Sequence, residues 1–303
     1  MSLHAGLIDN AVRLETPLYA AIIGTKPSAG ARSPALWNAA FARAGVEGRM
    51  YPFDVSLEKL PALISALRAD SRFVGGACAL PHKTALLPLL DEIEPEARNI
   101  GAVNCIYRRD GKLVGANTDG AGALPALATA AGGLSGKTAV LVGLGGAGRA
   151  VAVYVAGAVR EVLLSNRHEG AAREIAVRLA NAEICSFPPS VESLSRADIV
   201  VNCTSLGSNL FPGRTALSAS EDPGVNLTES RNAIGIVPDT AIVFDIVYQP
   251  SETPLLNLAR ARELRNLNGE AMNLEQAVLA FGRAVRSNLA DKDVRQAMRR
   301  AAS

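Results

Sequence analysis

A glycine-rich turn between two apolar segments constrains the fold of this chain more than any other feature. The unbroken apolar run from Ala139 to Val142 predicts a buried parallel strand, and the alanine- and valine-rich run from Arg149 to Gly157 predicts a helix. Between them lies a complete G-x-G-x-x-G, made up of Gly143, Leu144, Gly145, Gly146, Ala147 and Gly148. In this context the motif predicts a Rossmann-type doubly wound parallel sheet, with a dinucleotide pyrophosphate held at the start of the helix. The alternative is a plain strand-to-helix turn.

The end of the next predicted strand indicates which dinucleotide is bound. That strand, Glu161 to Leu164, ends about twenty residues after the motif begins, where an acidic residue would accept the ribose hydroxyls of NAD. The chain has Asn166 and Arg167 there instead. Because a guanidinium pairs well with a phosphate, Arg167 favours NADP over NAD. The alternative is that Arg167 is an ordinary solvated arginine.

Composition is typical of a two-domain globular enzyme. Of the 303 residues, 49% are hydrophobic and 20% charged, so the chain can bury a large core. A net charge of +2 gives no reason to expect a nucleic acid or a membrane as partner, and a small-molecule substrate is expected. The chain has neither a membrane-spanning apolar stretch nor a signal peptide, which favours a cytoplasmic location. Four scattered cysteines and three histidines predict neither disulfides nor a metal site.

Strand and helix patterns alternate before the glycine motif and predict a separate α/β unit. The predicted elements are a strand at 18–24, a helix at 34–44 closed by Gly45, a strand at 50–53, a helix at 56–69 opened by Ser56, an apolar segment at 73–80, a helix at 84–90 and a hairpin around 109–112.

Lys83 and Asp119 are candidates for proton transfer. Lysine is far scarcer than arginine in this chain, yet Lys83 follows a predicted buried strand and a proline. Burial can lower the pKa of a lysine but not, in practice, that of an arginine, so lysine is the residue type that proton transfer near neutral pH requires. Asp119, on a loop between Asn117 and Gly120, offers the carboxylate partner that such a lysine needs. The alternative for each is a solvated surface charge.

Eight short segments carry a family resemblance. They are Pro81-His82-Lys83, Gly101-Ala102-Val103-Asn104, Asn117-Thr118-Asp119-Gly120, Gly143 to Gly148, Asn166-Arg167, Asn202 to Gly207, Tyr248-Gln249 with Thr253-Pro254-Leu255, and Met272 with Gln276. These segments occur in the order seen in shikimate dehydrogenases. Over roughly residues 18–287 the chain therefore resembles the shikimate/quinate dehydrogenase family.

The resemblance implies an α/β protein of two domains. Residues 1–118, completed by helices at 270–303, are expected to bind the substrate, and residues 119–269 to form the Rossmann domain for NADP, with a C-terminal helix returning to the first domain. The implied activity is hydride transfer between NADP(H) and a ring hydroxyl or ketone of shikimate, 3-dehydroshikimate or a related cyclic hydroxy acid, in aromatic amino acid biosynthesis, by a monomer or homodimer. The alternatives are a quinate or aminoshikimate-type dehydrogenase and, in another class, a non-catalytic NADP-binding sensor.

The resemblance also implies roles for particular residues. Lys83 and Asp119 resemble the catalytic pair that exchanges a proton with the substrate hydroxyl. Residues that resemble substrate-hydroxyl ligands are Asn104, Tyr248 and Gln276. Asn166-Arg167 is similar to an NADP-selecting motif, although His168 replaces its usual threonine. The expected cofactor residues are Gly143, Gly145, Gly146, Ala147, Gly148, Asn166 and Arg167, together with Thr204 and Met272 beside the nicotinamide.

Departures from the family pattern concern the substrate. The family's Ser-x-Ser, which binds the substrate carboxylate, is Ala31-Arg32-Ser33 here, its Asn-x-Thr is Ala77-Cys78-Ala79, and its usual phenylalanine before the lysine is His82. At about 1–3 kcal/mol for each lost contact, these changes predict poor binding of ordinary shikimate. The candidates to replace the lost donors are Ser28 and Ser33, with Lys26 and Arg32. The alternative is that they are solvated loop residues.

Two further segments are interpreted from pattern. The segment from Ser208 to Pro238, with prolines among polar residues, predicts a long loop, either functional or mobile, after Thr204. A plain exposed insertion is the alternative. Apolar positions between Ala271 and Phe281 predict a helix over 270–289.

Overall fold

The computed structural model describes residues 6–302, which form two compact units. The first unit runs to Thr118 and takes in the chain again from Leu274, and the second unit is Asp119–Asn273. Within residues 6–302, none of the helices combines the length and the apolarity that a membrane span requires.

The first unit is built on a mixed sheet in the order β2-β1-β3-β5-β6-β4. Its strands are β1 (Leu18–Gly24), β2 (Gly48–Asp54), β3 (Phe73–Cys78), β4 (Glu92–Ile93), β5 (Cys105–Arg109) and β6 (Lys112–Ala116). Strand β5 is antiparallel to its neighbours β3 and β6, and the other pairings are parallel. The predicted hairpin is confirmed: β5 and β6 are joined through Asp110 and Gly111, both with positive φ, as a tight two-residue turn requires.

Helices pack on this sheet, and two of them come from the C-terminal part of the chain. They are α1 (Ser33–Ala44), α2 (Leu60–Ala69), α3 (His82–Ala85), α4 (Pro95–Ile100), the part of α11 (Glu270–Ala284) from Leu274 onward, and α12 (Asp291–Ala302). The ring of Phe281 on α11 makes edge-on contacts with Trp37 and Phe41 of α1, at centroid distances of 5.3 and 5.2 Å. Such buried aromatic contacts anchor α11 firmly.

The second unit is an all-parallel sheet in the order β12-β11-β10-β7-β8-β9. Its elements are α5 (Asp119–Ala131), β7 (Thr138–Val142), α6 (Gly146–Ala156), β8 (Glu161–Ser165), α7 (Glu169–Ala176), β9 (Ala182–Cys185), α8 (Val191–Ser195), β10 (Ile199–Asn202), α9 (Pro223–Ile236), β11 (Ile242–Asp245), α10 (Pro254–Ala261) and β12 (Arg265–Leu267). In chain order this is the 3-2-1-4-5-6 arrangement of a doubly wound Rossmann sheet, so the predicted fold class is confirmed.

Three predicted elements differ from the structure in their bounds, and the cause is identifiable for the first two. Helix α2 begins at Leu60 rather than Ser56, because the Ser56 N–H donates to the Asp9 carboxylate and residues 56–59 form a separate turn. Pro61 then occupies the first turn of the helix, where proline is favoured. The helix predicted over 84–90 is divided into α3 and a 3₁₀ turn at Leu87–Leu89, which contains Pro88. Helix α11 ends at Ala284 rather than 289.

The predicted loop at 208–238 is also wrong, because it contains α9. The Asp222 side chain caps this helix by accepting from the Val225 N–H at 2.9 Å, and Pro223 occupies its first turn. The buried Asn226 side chain accepts from the Thr215 N–H at 2.8 Å and donates to the Thr215 carbonyl at 3.2 Å. These bonds tie the helix to the chain before it, and Ala216, Leu217 and Ile234 of the same segment are buried in an apolar cluster of the second unit.

Candidate active site

The glycine loop follows β7 at the carboxyl end of the sheet, and backbone crowding accounts for two of its glycines. Gly143 has a φ of +97°, and a side chain there would also collide with Thr204. A Cβ on Gly148 would collide with the Gly143 carbonyl oxygen. A Cβ on Gly145, in contrast, would meet nothing within 4 Å. The loop is therefore crowded at Gly143 and Gly148. It is accessible at Gly145, the glycine that a pyrophosphate would approach.

The start of α6 fits the phosphates of a dinucleotide. The helix begins at Gly146, and no side chain among the described residues caps it at Gly145. The first-turn N–H groups, which include those of Gly146, Ala147 and Gly148, are therefore directed along the helix axis toward a ligand position, where the helix dipole also favours negative charge. The residues present fit the cofactor that the sequence predicts.

Asn166 and Arg167 lie after β8, the neighbouring strand. Asn166 Oδ1 accepts from the Leu144 N–H at 2.9 Å, and its Nδ2 donates to the His168 carbonyl at 2.7 Å. The Asn166 side chain thus holds the glycine loop in shape. Arg167 is exposed, as a residue that pairs with the 2′-phosphate of a bound nucleotide has to be.

The other predicted cofactor residues are also in the second unit. Thr204 lies in the loop after β10, where its hydroxyl donates to Asn202 Oδ1 at 2.7 Å and accepts from the Leu206 N–H at 3.1 Å. Met272 is buried in the apolar cluster of this unit, near the start of α11. Tyr248, predicted to contact the substrate, is half-buried after β11.

A buried polar cluster in the first unit contains two predicted substrate ligands. Asn104 Nδ2 donates to Gln276 Oε1 at 3.3 Å and to the Thr118 hydroxyl at 3.0 Å. Thr118 closes the cluster, because its N–H donates to Asn104 Oδ1 at 2.8 Å and its hydroxyl to the Gln276 carbonyl at 3.0 Å. Asn104 and Gln276, which are 172 positions apart in sequence, are therefore brought together with fixed amide orientations.

The proposed catalytic lysine is anchored beside this cluster through its main chain. The Lys83 carbonyl accepts from the Val103 N–H at 2.7 Å, one residue before Asn104. The preceding His82 ring is fully buried, and its Nε2 is 2.7 Å from the Val55 carbonyl. The Lys83 side chain is half-exposed. Asp119, the proposed partner, is the buried first residue of α5 in the second unit.

Two of the residues proposed to replace the missing donors, Ser28 and Arg32, already have hydrogen-bond partners. Asp54, at the end of β2, accepts from the N–H of Ser28 at 2.9 Å and from the Ser28 hydroxyl. The Arg32 guanidinium donates to the Ala302 carbonyl at 2.8 Å. Ser33 is buried as the first residue of α1, and Lys26 is exposed. Ser28 therefore lies against a carboxylate.

Sequence reasoning missed several polar residues that shape these sites, namely Asp54, Thr118, Asn202 and Asp245. Asp54, Asn202 and Asp245 each end a parallel strand, which is the position at which α/β sheets collect functional groups. A polar residue at the end of a predicted parallel strand was therefore the signal in the sequence that could have identified these three residues. For Thr118, its place inside a family motif was the signal.

Among residues 6–302, no group of three or more His, Cys, Asp or Glu side chains is arranged to hold a metal ion. The four cysteines are free thiols, and Cys78, Cys105 and Cys203 are buried.

A Rossmann-ordered sheet with a phosphate-binding glycine loop at its carboxyl edge defines the class of protein, a Rossmann-type dinucleotide-binding protein. Two family models match the chain, the shikimate dehydrogenase substrate binding domain over residues 22–106 and shikimate / quinate 5-dehydrogenase over residues 126–223. The chain belongs to the shikimate dehydrogenase family, so the resemblance stated from the motifs is confirmed.

Three known proteins illustrate the likeness. The shikimate dehydrogenase (NADP(+)) of Symbiobacterium thermophilum is 38% identical over 84% of this chain and 85% of its own length. The shikimate 5-dehydrogenase of Thermus thermophilus, solved in complex with NADP(H) and shikimate, is 33% identical, with a TM-score of 0.75 over 94% of this chain and 99% of its own. The 5-ketofructose reductase of a Gluconobacter species is 30% identical, with a TM-score of 0.72 over 95% of this chain and 99% of its own.

Proposed function

We propose that this protein catalyses reversible hydride transfer between NADP(H) and a ring hydroxyl or ketone of shikimate, 3-dehydroshikimate or a related cyclic hydroxy acid. One observation supports the substrate assignment most directly. The Val103 N–H donates to the Lys83 carbonyl, so the main chain of Lys83 lies next to the segment that carries Asn104 and its buried partners Thr118 and Gln276. The glycine loop, Arg167 and the relatives named as NADP(+)-dependent support the cofactor assignment.

The residues of the proposed catalytic pair and of the buried cluster have distinct roles in this reaction. Reduction carries a hydride from NADPH to the carbonyl carbon and a proton to the carbonyl oxygen, which gives the alcohol and NADP⁺. Lys83 delivers that proton, and the Asp119 carboxylate is its proton-transfer partner. The amides of Asn104 and Gln276 and the Tyr248 hydroxyl bind the ring hydroxyls.

The cofactor residues divide into two groups. The Gly143–Gly148 loop and Arg167 hold the phosphates, with Asn166 bracing the loop. Thr204 and Met272 border the nicotinamide. We also propose that the enzyme acts in the cytoplasm, which fits its free cysteines, and that it is a monomer or a homodimer.

A steady-state screen tests the proposal. Wild type and Ala79→Thr are assayed for reduction of 3-dehydroshikimate and 3-dehydroquinate, with NADPH and with NADH. We expect wild type to reduce a ring ketone with NADPH, at high KM for 3-dehydroshikimate. The threonine restores a hydroxyl at a position where the family has one, so this KM should fall. Tight NADPH binding without reduction of any ring ketone would support the non-catalytic sensor instead.

A second candidate substrate is a polyhydroxy ketone without a carboxylate. The observation that favours it is the Ser28–Asp54 pair, because an almost buried carboxylate there disfavours a second anion nearby. No ion pair to Asp54 is formed within residues 6–302 that would offset this charge, and a 5-ketofructose reductase shares the fold. Adding 5-ketofructose and the variant Asp54→Asn to the screen separates the two. Faster reduction of the keto sugar than of 3-dehydroshikimate by wild type, with a lower KM for 3-dehydroshikimate in Asp54→Asn, selects the second candidate, whereas faster reduction of 3-dehydroshikimate by wild type, with its KM unchanged in Asp54→Asn, selects the first.

A further inference from the structure

A buried series of hydrogen bonds connects Asp245 to Thr204 in the second unit. Asp245 and Asn202 are register partners at the ends of the parallel strands β11 and β10. Asn202 Nδ2 donates to Asp245 Oδ1 at 2.9 Å. Asn202 Oδ1 accepts from the Thr204 N–H at 3.0 Å and from the Thr204 hydroxyl at 2.7 Å. The Asn202 amide thus joins a carboxylate on one side to the loop that carries Thr204 on the other.

Both carboxylate oxygens of Asp245 accept hydrogen bonds, but no cation among the described residues balances the charge of the carboxylate. Its Oδ1 also accepts from the Val247 N–H at 3.0 Å, and its Oδ2 from the Thr253 hydroxyl at 2.7 Å. The side chain is fully buried, and it forms no ion pair within the part of the chain that the structure describes. Burial of a carboxyl group without a cation costs free energy, so simple packing gives no reason for an aspartate here.

The Thr204 end of the series contacts the glycine loop. The Thr204 methyl group occupies the space where a side chain on Gly143 would lie. The next residue back, Cys203, donates its N–H to the Val142 carbonyl at 2.8 Å. Strands β7 and β10, which precede these two loops, are neighbours at the point where the strand order reverses, and ligands of doubly wound sheets bind at that point.

We propose that Asn202 and Asp245 are positioning residues that fix Thr204 against Gly143 and so set the place of the nicotinamide ring. The proposal rests on the proposed function, in which Thr204 borders the nicotinamide. Both hydrogen-bonding roles of the Thr204 hydroxyl are used, one by Asn202 and the other by the Leu206 N–H. The side chain is therefore held in one orientation, as a ligand-contacting residue backed by a second layer of hydrogen bonds should be.

Ligand binding with and without a nicotinamide tests the proposal without relying on turnover. Dissociation constants for NADPH and for 2′-phospho-ADP-ribose, which lacks the nicotinamide, are measured on wild type, Thr204→Val, Thr204→Ser, Asn202→Ala and the double variant Asn202→Ala/Thr204→Val. Thr204→Val keeps the shape but loses the hydroxyl, and it carries the test alone if Asn202→Ala does not fold. Asn226→Ala, which removes another buried asparagine of the same unit, is the matched control.

We expect Thr204→Val and Asn202→Ala each to weaken NADPH binding by about tenfold, and the double variant by no more, because the two residues act through one contact. Thr204→Ser, which keeps the hydroxyl, should lose less NADPH affinity than Thr204→Val, while Asn226→Ala and all affinities for 2′-phospho-ADP-ribose should stay near wild type. Equal weakening of both ligands, additive losses, or NADPH binding unchanged in Thr204→Val would overturn the positioning role while leaving the proposed function intact. A wild type that binds no NADPH would overturn both.

Discussion

Asp245 is the residue whose protonation the fold alters most clearly. Burial raises the pKa of its carboxyl group from the usual 3.8 to about 6, although the Thr253, Val247 and Asn202 donors act in the opposite direction. Between about pH 4 and pH 6 the folded protein therefore binds more protons at this site than the unfolded chain. The contribution of Asp245 to the free energy of unfolding consequently falls as the pH rises through that range.

The variant Asp245→Asn should lack this fall. Denaturant unfolding of wild type and variant at about pH 4 and pH 6 measures it. We expect the stability of the variant relative to wild type to improve between these two pH values, because only wild type has to ionise a buried group. A difference between the two proteins that is the same at both pH values would contradict the assignment.

The buried His82 should make the free energy of unfolding depend on pH in the opposite direction. Burial lowers the pKa of its ring below the usual 6.5, against the hydrogen bond to the Val55 carbonyl, and Nδ1 has no hydrogen-bond partner among the described residues. Below about pH 6.5 the unfolded chain takes up a proton more readily than the folded protein, so acid lowers stability through this residue. His82→Phe should show a smaller loss of unfolding free energy between about pH 7 and pH 5. Parallel losses in both proteins would refute the prediction.

Arg167 is the residue on which cofactor choice should depend. Arg167→Ala should weaken NADPH binding far more than NADH binding, because only NADPH carries the 2′-phosphate. The matched control is Arg173→Ala, which removes another exposed arginine, one that pairs with Glu169 on α7. Fluorescence titration of both cofactors against the three proteins decides the matter. Equal weakening of NADPH and NADH, or a wild type that prefers NADH, would overturn this role.

At the scale of elements, the sequence pattern predicted correctly those helices and strands that are determined by residues within the same segment. The apolar run of β7, the glycine turn and α6 were predictable because one stretch of chain contains the strand, the turn and the helix signal. The start of α2 was not, since the Ser56 N–H is bound by Asp9, 47 positions away. The helix within 208–238 was obscured by prolines, although Asp222 and Pro223 form a recognisable helix start.

The docking of α9 gives an element-scale prediction. Asn226→Ala should leave the buried Thr215 N–H and carbonyl without their partners and lower the free energy of unfolding by about 1–3 kcal/mol. Asp222→Ala, which removes only the helix cap, should cost about 1 kcal/mol. Thermal unfolding of both variants measures the difference. If Asn226→Ala costs less than Asp222→Ala, α9 is not held by this contact.

At the scale of the whole molecule, the candidate site depends on contacts between residues that are far apart in sequence. Motifs identified Lys83, Asn104, Gln276 and the glycine loop one by one. The bonds that join Asn104 to Gln276 and Ser28 to Asp54 could not be predicted, because nothing in the local sequence specifies which polar groups meet after folding. The resemblance to the family therefore identifies the motifs, whereas the hydrogen-bond partners of their residues are known only from the folded structure.

The proposed activity depends most of all on Lys83 and Asp119 acting as one proton-transfer pair in an NADPH-dependent reductase. The decisive measurement is the kcat for reduction of the best ring ketone by wild type, Lys83→Ala, Asp119→Ala and the double variant, with NADPH affinity measured in parallel. Each single change should lower kcat by about 10²–10⁴ with NADPH affinity nearly unchanged, and the double variant should lose little more. Losses that multiply in the double variant, or single variants as fast as wild type, would contradict the account.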